Sequence, residues 1–386
     1  MIGKSARGMA RIAAVALVAG CLGVGSAAAQ KAYIGATGSI VGGGNTVVAI
    51  DTATGAVVGA PITVGFRPAG VAITPDGRRA YVANAADDTV SVIDTRTDTV
   101  LNPPIAVGEF PWAAAMAPDG KRVYLTIEDD EPWVQVIDTA TNRVVGDLIP
   151  IGSFSFGIAV TPDSKRVFVT NYLDDSVTVI DATDGSVIVP ALAVGDQPWG
   201  IAITPDGKKA YVTNLASDTV SVIDTTTYAV TAIAVGNAPQ ELAITPDGTK
   251  AYVSNYGDDT VSVIDTRTDT VIGDPIPVGD RPFGVAVTPN GRQVYVVNFT
   301  SQDVTVIDAA TNQVVGEPIA IGINSQVGGL FIQPRLFAGT PGKPNCAGQS
   351  LSAEARRYGS PSAAARALGY GTVAKMQTAI RAYCRA

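Results

Sequence analysis

Glu241 stands where six other copies of one motif carry glycine or alanine: Gly70, Ala113, Gly157, Gly200, Gly284 and Gly329. A lone carboxylate in a small-residue slot would hold a cation or act as a base with a raised pKa; it would equally point into water or pair with Arg281. The position before it reads Ala69, Trp112, Phe156, Trp199, Gln240 and Phe283, and two residues further back it reads Arg67, Phe110, Phe154, Gln197, Ala238 and Arg281. Aromatic rings with a few polar groups are what a concave sugar, peptide or cofactor site requires. Rings wedged between packed elements give the same pattern. The candidate ligand-binding set is therefore Arg67, Phe110, Trp112, Phe156, Gln197, Trp199, Gln240, Glu241, Arg281 and Phe283, with Glu241 also the candidate catalytic and metal-binding residue.

The chain has no histidine. That removes histidine-based triads, imidazole-bound zinc and a histidine general base. There is no Walker phosphate loop and no nearby cysteine pair for zinc. Gly42-Gly43-Gly44 precedes a strand pattern, not a helix, and reads as a loop. A second set of loops is acidic: Asp87-Asp88, Glu128 to Glu131, Asp174-Asp175, Asp218, Asp258-Asp259 and Asp303. Carboxylate oxygens suit calcium or a basic partner. Asp before a strand is also ordinary turn chemistry, and no calcium-loop spacing is present. No resident cofactor is expected, the alternative being Ca2+ or another divalent cation.

These slots belong to a repeat. Thr-Pro or its variants recur at Pro75, Pro118, Pro162, Pro205, Pro246, Pro289 and Pro334, and a strand ending in Asp recurs at Asp51, Asp94, Asp138, Asp181, Asp224, Asp265 and Asp308, every 41 to 45 residues. A third element starts at Tyr33, Tyr81, Tyr124, Phe168, Tyr211, Tyr252 and Tyr295. Each copy holds four strand-like runs, in the second copy 70–74, 80–84, 89–94 and about 99–107, with no helical pattern between them, so the strands pair antiparallel. A four-stranded unit repeated seven times is a seven-bladed β-propeller. The order is offset, because the chain enters at the Tyr element and leaves at the Pro element. The expectation is an all-β wheel in which three N-terminal strands (31–64) and one C-terminal innermost strand around Leu330-Phe331-Ile332 share a blade, leaving no open edge. Phe331 fills a slot that is Ala in the other six copies.

Tyr211-Val212-Thr213-Asn214 and its copies, over about 31–336, resemble the YVTN-repeat β-propeller family. That resemblance implies an exported bacterial or archaeal surface-type protein and no single activity. Ala36 and Ile127 depart from the pattern by lacking the Asn. The architecture is also distantly similar to seven-bladed lactonases.

The remaining segments are read separately. Lys4, Arg7 and Arg11, an apolar run over 12–24 and Ala27-Ala28-Ala29 make residues 1–29 a signal peptide; Val18-Ala19-Gly20-Cys21 offers the competing reading of a lipid anchor at Cys21. The propeller is assigned 30–339. Residues 340–386 open with a Pro/Gly linker and read as a small C-terminal α-helical module, in which Cys346 and Cys384 are expected to form a disulfide. No transmembrane helix is expected after the leader. Taking +3 for the leader and +6 for the tail from the net −8 leaves −17 on the repeat region, which opposes nucleic acid.

Two functions follow from these residues: an exported cell-envelope scaffold, periplasmic or at the cell surface, binding a protein, glycan or small-molecule ligand on its axial face, or a divalent-cation-dependent, lactonase-like hydrolase using Glu241. A monomer is expected.

Overall fold

Each Thr-Pro-Asp-Gly turn closes on itself. In the second repeat the Gly77 N–H donates to Thr74 O at 2.7 Å, the Asp76 carboxylate accepts the Arg78 N–H at 3.0 Å, and Gly77 takes φ +66°, a conformation that costs a residue without Cβ little. The Asp ending the third strand acts the same way: Asp94 Oδ1 accepts the Arg96 N–H at 2.9 Å and turns the chain into the outermost strand.

The computed structural model describes residues 30–36, 44–321 and 327–332, with single helical positions at 361, 373, 376 and 377. The described residues form seven antiparallel sheets. Blade II is typical, running Pro68–Ile73, Arg79–Asn84, Thr89–Asp94 and Thr99–Ala106 from hub to rim. The innermost strands of blades III to VII are Pro111–Met116, Ile158–Val160, Pro198–Ile203, Pro239–Ile244 and Pro282–Val287. Blade I joins Lys31–Ala36 and Thr46–Asp51 to the C-terminal strand Val327–Ile332, with Ala32 opposite Ile332 and Tyr33 opposite Phe331. The seven innermost strands touch in ring order, so the wheel closes as the offset repeat requires. The side chain of Phe331 lies outside the described residues, as do the leader with Cys21, the Gly42-Gly43 loop and Cys346 and Cys384.

Apolar side chains pack between neighbouring blades. The Tyr element explains why adjacent blades hold their angle. Tyr33, Tyr81, Tyr124, Tyr211, Tyr252 and Tyr295 are all buried. Each hydroxyl reaches the rim turn of the next blade: Tyr33 to Asp98, Tyr81 to Asn142, Tyr124 to Ala182 O, Tyr211 to Asp269, Tyr252 to Asn312, and Tyr295 to Thr52 O, which carries blade VII onto blade I. Asp98, Asn142, Asp269 and Asn312 sit at positive φ, where Asn and Asp are tolerated. At the junction of blades IV and V the tyrosine is Phe168, which has no hydroxyl, and the matching turn position is Tyr228, which supplies no short side-chain acceptor. There the Arg166 guanidinium lies 5.8 Å from the Tyr228 ring centroid and donates to Thr225 O. The two departures accompany one another.

The absent Asn at Ile127 has a local remedy. In other blades the Asn amide donates to hydroxyls of the third strand, as Asn84 does to Thr89 and Ser91. At blade III, Ile127 is buried and apolar, and Gln135 Oε1 accepts the Gly108 N–H at 3.0 Å. At Ala36 the backbone pairs normally with Thr46. Among the described residues no helix is long and apolar enough to cross a membrane.

Candidate functional site on the axial face

The entry loops of the innermost strands are shaped by an unusual backbone. Arg67, Phe110, Phe154, Gln197, Ala238 and Arg281 all have φ between 49° and 56°. Five of the six precede a proline. None is glycine, so each carries backbone strain that its surroundings must hold. The acidic loops supply the restraint. Asp88 accepts the Phe110 N–H, Asp175 that of Gln197, Asp218 that of Ala238 and Asp259 that of Arg281, at 2.7 to 2.9 Å. The preceding carboxylates clasp the loop of their own blade: Asp87 takes Phe66 N–H, Asp174 Ser153 N–H and Asp258 Asn237 N–H, each at 2.7 Å. These acids are therefore loop clasps. Among the described residues no group of three Asp or Glu gathers to hold a metal ion.

After the proline, the innermost strands of blades II, III, V, VI and VII carry a β-bulge. In blade VI, Pro239 pairs with Asn255 and Leu242 with Val253, so Gln240 and Glu241 together face Ser254. A bulge re-aims side chains, here bringing Glu241 Oε2 over Gly200 of the neighbouring blade. The glycines of the following slot answer the crowding this creates. A Cβ on Gly70 would lie 2.6 Å from Trp112 O, and one on Gly200 would lie 2.7 Å from Gln240 O and 2.8 Å from Glu241 Oε2. The Tyr-Val-x-Asn hydroxyls tie the layer together: Thr213 accepts the Gly200 N–H and donates to Gln240 O, and Ser254 accepts the Glu241 N–H and donates to Phe283 O.

The aromatic slots meet. Phe110 stacks on Trp112 with ring centroids 5.8 Å apart, Trp112 meets Phe156 edge-on at 5.3 Å, Phe156 stacks on Trp199 at 4.1 Å, and Trp199 meets Phe283 at 5.9 Å. Guanidiniums stand at both ends. Arg67 lies over Phe110 at 4.8 Å and Trp112 at 5.3 Å; Arg281 lies over Tyr256 at 5.5 Å. Nearly all these rings keep partial exposure, so they are at once interblade packing and an open face.

Tyr172, Tyr256 and Phe299 extend the arc, and the sequence reading did not select them. Tyr172 touches Phe156 at 5.2 Å and Trp199 at 5.7 Å, and donates its hydroxyl to Gln197 Oε1 at 2.9 Å. Phe299 links Phe283 to Tyr256. All three follow the Asn of the repeat, a slot that reads Ala85, Glu128, Tyr172, Leu215, Tyr256 and Phe299. Comparing that slot across the copies was the available signal.

Glu241 does not pair with Arg281, whose guanidinium instead approaches the Tyr256 hydroxyl at 3.4 Å. Burial among the innermost strands pushes the Glu241 carboxyl up to about 8, against a smaller opposing effect of the Leu242 N–H. Glu128, clasping the Ser155 N–H at 2.6 Å, is likewise pushed by burial to about 7. Gln240 is 6% exposed, and its Oε1 has no hydrogen-bond partner among the described residues.

Seven blades in a closed ring, with aromatic and polar side chains varying on the axial loops, define a β-propeller with a candidate axial binding face. Residues 134–252, which include Tyr211–Asn214, match the YNCE-like beta-propeller family. Similar solved structures include Kuenenia stuttgartiensis hydrazine synthase (24% identity, 69% of this chain and 90% of that chain, TM-score 0.63). A functionally unknown protein from Desulfotomaculum acetoxidans is 20% identical over 78% of this chain and 98% of that chain, with TM-score 0.66. The periplasmic gluconolactonase of Pseudomonas aeruginosa is 18% identical over 79% of this chain and 99% of that chain, with TM-score 0.64. At these identities the likeness is one of fold. No protein of curated function matches the chain.

Proposed function

We propose that the protein is an exported binding scaffold of the cell envelope that captures its ligand on the axial aromatic arc. The observation that carries this reading is the continuous run of partly exposed rings from Phe110 to Phe283, flanked by Arg67 and Arg281. Side chains with large apolar faces and polar rims are the usual components of such sites. The basic, apolar and small-residue order of positions 1–29 supports export. Two of the three tryptophans, Trp112 and Trp199, lie in the arc, so ligand entry should change intrinsic emission. Titration of the full chain with panels of glycans, peptides and small metabolites tests the reading. Binding that is lost in Trp199→Ala and Trp112→Ala supports it; binding indifferent to both substitutions overturns it.

A second reading is favoured by Glu241 and by the fold shared with a gluconolactonase: a hydrolase in which Glu241 transfers protons at the channel mouth. A carboxyl pushed to about 8 is mostly protonated at neutral pH, which suits an acid and weakens a cation ligand. In this form the enzyme needs no calcium from Glu241. Turnover of a lactone and ester panel that disappears in Glu241→Gln would establish it, and a calcium-dependent rise in unfolding temperature that vanishes in the same variant would restore the divalent-cation form.

A further inference from the structure

Blade VI is where the axial pattern breaks twice in succession. The aromatic slot holds Gln240 and the small slot holds Glu241, while both sequence neighbours in the ring, blades V and VII, carry Trp199-Gly200 and Phe283-Gly284. The bulge sets Gln240 and Glu241 together opposite Ser254, breaking the strict alternation of a flat strand. Among the described residues Gln240 Oε1 is a buried acceptor without a donor, a state it shares with four repeat-strand Asn Oδ1 atoms but alone holds at an axial slot. Burial pushes the Glu241 carboxyl up to about 8, so near neutral pH it offers an O–H donor, and the Ser254 hydroxyl fixes the Glu241 backbone from both its N–H and its carbonyl. One acceptor and one donor on adjacent residues are the complement of a secondary amide.

The flanking rings narrow the ligand further. Trp199 and Phe283 meet at 85° on either side of blade VI, and the ring contacts continue through Phe156, Trp112 and Phe110, each ring partly exposed. Successive rings suit successive flat, C–H-lined faces, as in a chain of pyranoses. A repeat region of charge −17 weighs against a polyanion.

Resting on the scaffold reading above, we infer that the axial site takes a neutral oligosaccharide of N-acetylated hexosamine units. One acetamido group sits at blade VI, its N–H donating to Gln240 Oε1 and its carbonyl accepting the Glu241 O–H. The neighbouring sugar faces lie on Trp199 and Phe156, and the amide at blade VI distinguishes this polymer from one carrying hydroxyls alone.

The test is calorimetric titration of the full chain with chitohexaose and with cellohexaose, which share a backbone and differ in the acetamido group. The expected result is a preference of about tenfold or more for chitohexaose, reduced toward parity in Gln240→Ala and in Glu241→Ala, and less reduced in Glu241→Gln, which keeps a donor. Circular dichroism and unfolding temperature check that each variant is folded. Equal binding of the two oligomers overturns the amide reading and leaves the axial scaffold standing if Trp199→Ala abolishes both. Failure of both oligomers, or binding of a blocked alanine hexapeptide in their place, overturns the sugar reading, and the wider panel then decides the scaffold reading on its own. Chitohexaose binding that survives Trp199→Ala overturns both.

Discussion

The two faces of the wheel use the same repeat in opposite ways. On the turn face one contact repeats: a buried Tyr hydroxyl reaches the next blade's turn at six of the seven junctions. The one exception, Phe168 with Tyr228, changes both partners at once. On the axial face the backbone is what repeats, with positive φ, an acidic clasp and a bulge in blade after blade, while the side chains mounted on it run from Ala69 to Trp199 to Gln240. One face spends its invariant residues on holding the ring, and the other keeps an invariant scaffold so that residues are free to differ. The difference is why the proposed ligand site is placed on the face where only the backbone is constant.

Breaking the ring should have the largest effect. A chain ending at 326 lacks the strand Val327–Ile332 and leaves Lys31–Ala36 without its inner partner, whereas a chain ending at 336 keeps that ladder. The shorter chain should lose its cooperative thermal transition, a loss on the order of the whole stability of about 5–15 kcal/mol. The longer one should retain it. Similar melting curves for the two would mean that closure is not what holds the turn face in register.

Substitution on the axial face should separate binding from stability. Trp199→Ala removes ring contacts with Phe156, Tyr172 and Phe283. Because Trp199 is only partly buried, the cost should be about 2 to 3 kcal/mol, below that of a core aromatic. Ligand affinity should fall at least as far, while chemical denaturation shows an unchanged m-value.

Glu241 sharpens the same comparison through pH. Its carboxyl is raised in the folded state to about 8, from an unfolded value near 4.5. The folded protein therefore binds the proton more tightly, so this stabilisation is complete below about pH 4.5 and is lost as pH rises toward 8. Glu241→Gln should match the wild type near pH 4.5 and become more stable than it by on the order of 4 kcal/mol at pH 8. Glu128, raised to about 7, adds a slope of the same sign over a narrower window. Unfolding temperatures of both proteins across this range measure the difference, and parallel curves would show that Glu241 is solvated.

The wheel, its closure and the ring slots at 112, 156, 199 and 283 were legible because they are periodic, and periodicity survives in a single sequence. Tyr172, Tyr256 and Phe299 were not read, because they reach the site from a different loop and only the bulged, left-handed geometry brings that loop alongside. The acidic runs were visible, yet their role was not, since a carboxylate that clasps an amide 20 to 22 residues away looks the same in sequence as one that waits for calcium. The expected choice between Glu241 paired with Arg281 and Glu241 alone depended on the aim of Arg281, which Tyr256 determines.

The smallest expected effect lies on the turn face. Tyr252→Phe deletes a hydroxyl that donates to Asn312 Oδ1 at 2.8 Å and approaches Ala309 O at 3.2 Å, but Lys250 Nζ also serves both acceptors, at 2.9 and 2.7 Å. Neither acceptor is orphaned, so the loss should be about 1 kcal/mol. Tyr295→Phe, at the closing junction, removes a hydroxyl that donates to Thr52 O at 3.0 Å, and Gln293 there stands where the other six repeats carry a lysine or arginine two residues before the aromatic residue. Its cost should exceed that of Tyr252→Phe by a few tenths of a kcal/mol to about 1 kcal/mol. Equal unfolding free energies for the two variants would mean that the cation beside each tyrosine contributes nothing to the ring, and that the hydroxyls alone set the angle between blades.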